Sequence, residues 1–105
     1  MTFKPMKMYD SLSEGSYKGI IKDLYFSNDT TCWFRISVDG IENGVFNTMF
    51  TTIDMVFNNF AIDYVDKEGY FCPEKAIGKN IEFVVENRIY SGKQVTKITE
   101  IAEIK

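Results

Sequence analysis

Residues 31–38 read Thr31-Cys32-Trp33-Phe34-Arg35-Ile36-Ser37-Val38, and every second residue from Cys32 onward is apolar. Successive side chains of a β-strand point to opposite faces, so this alternation predicts a half-buried strand. The face predicted to be core carries Cys32, Phe34, Ile36 and Val38. The opposite face places Trp33 and Arg35 side by side, two residues apart.

The stretch upstream predicts a first strand that reaches this one through a turn. Aromatic and aliphatic residues recur from Ser16 to Phe26, and a turn cluster occupies residues 27–30. Gly15 and Gly19 bracket the start of the strand. A glycine within a strand indicates a bulge or tight coiling, as required where one long strand serves both halves of a small barrel.

A third strand is predicted over residues 45–51. The chain turns before it at Asp39-Gly40 or at Glu42-Asn43-Gly44, and Asn-Gly is the stronger hairpin signal of the two. Within the strand, Phe46, Thr48 and Phe50 alternate with Val45, Asn47, Met49 and Thr51. The pattern leaves open which of these faces points inward.

The apolar period then changes from two to that of an amphipathic helix. The spacing i, i+3, i+4, i+7 holds for Ile53, Val56, Phe57, Phe60, Ala61, Tyr64 and Val65. Thr52 or Asp54 is positioned to cap this helix, and residues 66–69 close it. Strand and helix spacing together assign four residues to the core: Met49, Met55, Phe57 and Phe60.

The C-terminal third of the chain predicts a hairpin. Residues 81–86 alternate in a fourth strand that continues to Tyr90, and the chain turns at Ser91-Gly92. The fifth strand runs from Lys93 to about Ile101. Its apolar residues break strict alternation, which indicates a bulge or a change of face near Lys97-Ile98.

Three strands, one helix and two strands are the element order of the OB-fold. We therefore predict a mostly-β protein, a five-stranded OB-fold-like Greek-key barrel with one helix between strands 3 and 4. A chain of 105 residues suits one domain. The prediction divides it into an N-terminal arm, residues 1–13, which we expect to pack against the domain, and a single domain, residues 14–105.

Composition argues against several classes of protein. The chain has no histidine, the commonest general base and metal ligand, and it shows no catalytic constellation or phosphate loop, so neither an enzyme nor a cofactor or metal is expected. Cys32 and Cys72 lie among apolar neighbours and are expected to be reduced core thiols, whereas a disulfide would require export. No apolar leader or spanning segment occurs, so we expect no membrane association and a cytoplasmic location.

Aromatic residues make up 15% of the chain, more than so small a core easily buries. Some rings are therefore expected on the surface in a binding role. The net charge of −3 argues against binding of nucleic acid through bulk charge. Only a local basic patch could serve that purpose.

Two short stretches carry a resemblance to a known family. The chain reads Glu14-Gly15-Ser16-Tyr17-Lys18-Gly19-Ile20-Ile21 at the first strand and Tyr90-Ser91-Gly92-Lys93-Gln94-Val95-Thr96-Lys97-Ile98 in the last hairpin. In these stretches, and in architecture over roughly residues 14–101, it resembles the small single-stranded-DNA-binding proteins of phages and bacterial mobile elements. The resemblance implies a non-enzymatic module that binds single-stranded nucleic acid on the outer face of strands 2 and 3. The resemblance also implies that the loops between strands 1 and 2 and between strands 4 and 5 belong to the binding site.

The candidate binding residues fit stacking and phosphate neutralisation, because bases stack on exposed rings while Arg and Lys offset phosphate charge. Trp33 and Arg35 are the leading pair. Residues 87–99 contain no acid and carry the second group: Arg88, Tyr90, Lys93 and Lys97. Weaker candidates lie on strands 1 and 3: Lys22, Tyr25 and Phe46.

Each candidate also has a structural explanation. Trp33 could pack under the arm or the helix with Arg35 beside it, and the hairpin lysines could simply protect a sheet edge. The competing hypothesis is an OB-like interaction domain whose aromatic surface meets another protein or a second copy of itself. The net acidity fits that hypothesis better. The residues do not distinguish DNA from RNA.

Overall fold

β-Structure dominates the part of the chain that the computed structural model describes, which is residues 7–42 and 44–105. The strands are β1 (Lys7–Tyr9), β2 (Gly15–Asn28), β3 (Thr31–Val38), β4 (Gly44–Thr51), β5 (Asn80–Tyr90) and β6 (Lys93–Glu103). Two short helices separate β4 from β5: α1 (Met55–Ala61), continued by a 3-10 turn at Ile62–Tyr64, and α2 (Pro73–Ala76). The mostly-β class is confirmed.

The strands form one curled sheet in the order β1-β4-β3-β2-β5-β6. β2 has 14 residues and pairs with two neighbours, β5 along its first half and β3 from Gly19 onward. All pairs are antiparallel except β1 with β4, which run parallel. The prediction of five strands is wrong, because part of the predicted arm forms the additional strand β1.

Gly19 lies where β2 bends from one partner to the other. A Cβ atom at this position would collide with the backbone carbonyl oxygen of Ser37 on β3. The register shifts between Ile21 and Asp23, so Lys22 is the extra residue of a bulge. Glycine and bulge together let one strand coil through both halves of the sheet, as predicted.

The core lies on the concave side of the sheet. The predicted core face of β3 is confirmed, since Cys32, Phe34, Ile36 and Val38 are all buried. On β4 the inward residues are Phe46, Thr48 and Phe50. Phe46 is buried and stacks on Phe83 with ring centroids 6.1 Å apart. The expectation that Phe46 extends a surface ring platform is therefore wrong.

Helix α1 closes one end of the core. Asp54 caps it, since its Oδ1 accepts a hydrogen bond from the Val56 amide at 2.8 Å. Phe57 and Phe60 are buried as predicted, but Met55 is exposed. Met55 is the first residue of the helix and faces away from the sheet, so assigning it to the core was wrong. No helix among the described residues is long and apolar enough to cross a bilayer.

The turns follow the sequence signals closely. Ser91 and Gly92 form the β5–β6 turn with φ angles of 49° and 78°, the two left-handed residues of a type I′ hairpin. On β6 the extra residue is Thr99, one position beyond the predicted Lys97-Ile98. Asp39-Gly40 forms a turn after β3, while Asn43 of the alternative turn lies outside the described residues.

After β1 the chain crosses from β4 to β6 before it enters β2. We call residues 10–14 the crossing segment. Its Leu12 amide donates to Thr96 Oγ1 at 3.3 Å, and the Glu14 carboxylate accepts from the Asn87 amide at 2.9 Å. These bonds fasten the segment to the β5–β6 hairpin, beside the seam between β4 and β6.

Candidate nucleic-acid interface

A row of large apolar side chains crosses three strands on the convex side of the sheet. Tyr25 of β2 pairs with Trp33 of β3, which pairs with Met49 of β4. Tyr25 and Met49 are exposed, while Trp33 is half-buried and its Nε1 donates to Ser27 Oγ at 3.2 Å. The assignment of Met49 to the core is wrong, because it alternates with the inward Phe46 and Phe50.

The next row on the same face is polar and consists of Asp23, Arg35 and Asn47. Arg35 is held within the sheet: Nη1 lies 3.5 Å from Asp23 Oδ2, and the guanidinium carbon lies 5.1 Å from the centre of the Tyr25 ring. Arg35 Nε and Asn47 Oδ1 are buried and have no hydrogen-bond partner among the described residues. Arg35 therefore reaches this face already paired with an acid.

A groove of about 480 Å³ opens between these rows and β6. Trp33, Asn47, Thr48 and Met49 line one side of it, and residues 94–97 of β6 line the other. Asp10 and Ser11 of the crossing segment complete the lining. β4 and β6 do not pair with each other, and the gap between them is this cleft. One wall carries the Trp33 ring, and the other carries the Gln94 amide and Lys97.

The β5–β6 hairpin brings its charges to the edge of this groove. Lys97 Nζ lies 5.7 Å from the centre of the Tyr90 ring, and Lys93 pairs with Tyr90 across the hairpin. An acid lies on the same face: Glu86 is 3.2 Å from Arg88 and pairs opposite Lys97. Glu86 immediately precedes the acid-free stretch of residues 87–99 on which the prediction was based. The net positive charge of the hairpin is therefore smaller than predicted.

The structure brings together some of the predicted site residues and separates others. Trp33 and Lys97 line the groove, and Tyr25 and Arg35 adjoin Trp33 on its wall. Tyr90 and Lys93 stand beside Lys97 on the hairpin. Two candidates lie elsewhere, Phe46 in the core and Lys22 on the bulge of β2. Arg88 shares the hairpin face of Lys97 but is held in an ion pair with Glu86.

Several residues that line the groove were not predicted from the sequence. Met49 and Asn47 could have been found, because choosing the phenylalanine face of β4 as core turns both residues outward. Asp10 and Ser11 could not, since the crossing segment has no periodic pattern that predicts its path. Gln94 and Thr96 carry no charge or ring to mark them.

A larger depression of about 710 Å³ lies elsewhere, against β2, β5 and β6. Its charged lining consists of Asp39, Glu82, Glu100 and Lys18. Three acids to one lysine disfavour a polyanion there, because the net field repels phosphate. The smaller groove balances Asp10 with Lys97 and holds the Trp33 indole. The exposed Tyr25 ring lies beside it, so this groove is the better candidate for a nucleic acid.

The groove has the chemistry of a binding surface. Its side chains offer one indole, one thioether, amides, hydroxyls, a carboxylate and an ammonium group. Both cysteines are free, and burial raises the pKa of the Cys32 thiol to about 12. Cys32 faces the core and is protonated at neutral pH. Among the described residues no three cysteine or acidic side chains gather as a metal-binding group.

The assignment of this groove as a binding surface rests on its geometry. No family model matches the chain, and no curated protein matches it.

Proposed function

We propose that the protein binds single-stranded nucleic acid in the groove between the β3–β4 face and β6. Bases stack on Trp33 and Tyr25, and Lys97, Lys93 and Tyr90 contact the sugar-phosphate backbone from the hairpin. The observation that carries the proposal is the exposed row Tyr25–Trp33–Met49 facing a cleft whose other wall holds Lys97.

An indole in the cleft and an exposed tyrosine ring beside it suit a single strand, whose bases are free to stack. Every base has a π-face, so stacking tolerates any sequence and contributes about 1–3 kcal/mol per base. Duplex DNA hides those faces within its own stack. The proposal therefore includes a preference for single strands over duplex and little readout of sequence.

The strand pairings support an OB-like barrel as the scaffold. β2 pairs with both β3 and β5, β3 pairs with β4, and β5 pairs with β6. These are four of the pairings of a five-stranded Greek-key barrel. In this proposal the barrel is open between β4 and β6, where β1 and the crossing segment lie. The groove then occupies the face that OB modules use for oligonucleotides.

The proposal also covers source and location. A phage or mobile-element origin follows from the resemblance in the β2 and β5–β6 stretches. A cytoplasmic location is consistent with two free cysteines, because reducing compartments keep thiols unpaired.

Fluorescence anisotropy of a labelled oligo-dT at low salt tests this function. We expect Trp33→Ala to weaken binding about 5- to 150-fold, the equivalent of the loss of about 1–3 kcal/mol of stacking. Lys97→Ala is expected to lower the slope of log affinity against log salt by about 0.7, the value for one phosphate contact on a single strand.

Lys79→Ala is the matched control for Lys97→Ala, since Lys79 is exposed and lies outside the groove lining. It should leave the affinity nearly unchanged. Equal losses for the two lysine variants would mean that binding follows total charge, and an unaffected Trp33→Ala would remove the stacking platform from the proposal.

A protein partner at the same face is the second candidate. The pairing of Arg35 with Asp23 favours it, because it leaves the polar row without a free cation. A face that takes a protein would show no affinity for the oligonucleotide in the same titration.

A further inference from the structure

The most exposed large apolar side chains of the described residues lie at two places. Five of them are between 68% and 88% exposed, and the next, Met8, is 52% exposed. Four of the five lie on α1, its flanking residues and the loop that follows, and we call them the helix-end patch: Ile53, Met55, Ile62 and Tyr70. The fifth, Ile89, lies in the hairpin tip, defined as residues 86–97. None of the five lines the groove.

Contacts within the helix do not explain why the residues of the helix-end patch are apolar. Met55 and Ile62 are seven residues apart, so two helical turns place them on one side of α1, away from the core. Ile53 precedes the capping Asp54 and occupies the position of a hydrophobic staple. Its staple partner would be Asn58, a polar residue whose side chain donates to the Asp54 carbonyl at 2.9 Å.

Charge distinguishes the two places. Residues 53–70 contain four acids and one lysine, a net charge of −3, which equals that of the whole chain. The rest of the molecule is therefore balanced. The hairpin tip carries Arg88, Lys93 and Lys97 against Glu86, a net charge of +2. An acidic apolar surface and a basic apolar protrusion are complementary.

The two surfaces of one molecule cannot reach each other. β6 begins in the hairpin tip at Lys93 and ends at Glu103, whose carboxylate accepts from Tyr64 Oη at 2.7 Å beside the helix-end patch. The ten steps between the eleven residues of this strand extend about 33 Å at about 3.3 Å each. A contact between tip and patch must therefore join two molecules.

We propose that the hairpin tip of one molecule docks on the helix-end patch of a second copy. Ile89 packs against Ile53, Met55 and Ile62 there. The basic residues of the tip project from the opposite face of the hairpin, so their charge steers the tip toward the acidic patch and does not form ion pairs within the apolar contact. The contact joins two different surfaces, so one molecule can bind a second through its tip and a third through its patch, or two molecules can exchange both contacts in a two-fold pair. The association does not depend on the proposed function, since its apolar contacts lie outside the groove.

Two variants that each remove one surface test the proposal by light scattering. Ile89→Glu removes the tip, and Met55→Gln with Ile62→Gln removes the patch while keeping good helix formers. Met8→Glu is the matched control, a glutamate at an exposed apolar site outside both surfaces. Samples extend to about 1 mM, because a hairpin tip buries less than the roughly 800 Å² per partner of a stable interface.

We expect the mass of the wild type and of Met8→Glu to rise with concentration above the monomer value of 12.1 kDa. Each surface variant should associate at least tenfold more weakly. An equal mixture of the two should form dimers but nothing larger, because one variant supplies an intact tip and the other an intact patch. Circular dichroism checks that every variant is folded.

A wild type that remains monomeric at 1 mM would overturn the proposal, as would surface variants that associate like Met8→Glu or a mixture that stays monomeric. Quenching of Trp33 by a short oligo-dT, measured on the same samples, separates this result from the proposed function. A monomeric wild type that is quenched disproves the association alone, and an associating wild type without quenching disproves the nucleic-acid site alone.

Discussion

Arg35 is the residue whose partners decide how the groove face meets a phosphate. Its guanidinium lies against the Tyr25 ring and 3.5 Å from Asp23 Oδ2. Stacking on a ring leaves the edge of a guanidinium free to bind an anion. The ion pair with Asp23 occupies that edge, so in the proposed binding mode Asp23 would compete with an incoming phosphate.

Asp23→Asn tests this competition. The amide keeps an oxygen to accept from the Leu24 amide but removes the charge, so Arg35 is released to a phosphate. We expect oligo-dT to bind several-fold more tightly, with a salt slope about 0.7 steeper. Anisotropy at two salt concentrations measures both. Asp29→Asn makes the same charge change in the β2–β3 turn, and equal effects of the two variants would argue for bulk charge instead.

Cys32 gives the stability a dependence on alkaline pH. Burial raises its pKa from the usual 9.0 to about 12, so the folded state keeps the thiol protonated where the unfolded chain ionises it. This contribution to the free energy of unfolding is intact below pH 9 and falls by up to about 1.4 kcal/mol per pH unit between 9 and 12.

Urea unfolding at a series of pH values, on wild type and Cys32→Ala, measures the effect. The variant is less stable because it leaves a cavity, but its free energy of unfolding should fall less steeply above pH 9. Tyr64, whose pKa is raised by burial and by its bond to Glu103, adds a loss of the same sign in both proteins at higher pH. Identical slopes from pH 9 to 10 would contradict the assignment.

At the scale of elements, the crossing segment determines the shape of the seam. Thr96 joins it to the hairpin, because its Oγ1 donates to Asn87 Oδ1 at 2.8 Å and accepts from the Leu12 amide at 3.3 Å. The same residue lines the groove. Thr96 therefore both holds the crossing segment in place and forms part of the groove wall.

Thr96→Val keeps the volume of the side chain and removes both bonds. It leaves the Asn87 oxygen and the Leu12 amide without these partners, and we expect a loss of about 1–3 kcal/mol in the free energy of unfolding. Urea unfolding gives the loss, and faster amide exchange at Leu12 places it in the crossing segment. Thr51→Val, at an exposed position, should cost less than about 0.5 kcal/mol. Unchanged exchange at Leu12 would contradict the fastening role.

Periodic elements could be predicted from the sequence, and aperiodic ones could not. The core face of β3, the Asp54 cap and the Ser91-Gly92 turn follow from local rules that depend on a few neighbouring residues. Strand β1 depends on a distant partner, β4, and its three residues carry no period of their own. The relative positions of strands far apart in the sequence could not be predicted either. Trp33 and Lys97 could therefore be proposed separately as binding residues but not placed in one groove.

At the scale of the whole molecule, the distribution of charge matters more than its sum. Residues 53–70 hold a charge equal to the entire net charge, and the hairpin tip is basic. A weakly acidic chain can therefore present a basic edge to a polyanion. Because the Debye length is about 10 Å at 0.1 M salt, charges at the far end of the sheet are screened from the groove.

The emission of Trp33, the single tryptophan, gives the most direct measurement of the central claim. The chain is titrated with unlabelled oligo-dT at low salt, and the titration is repeated with the same oligonucleotide annealed to its complement. Stacking of a base on the indole predicts saturable quenching by the single strand that weakens as salt is added, and much weaker quenching by the duplex. Emission that stays constant through the single-strand titration would contradict the nucleic-acid site.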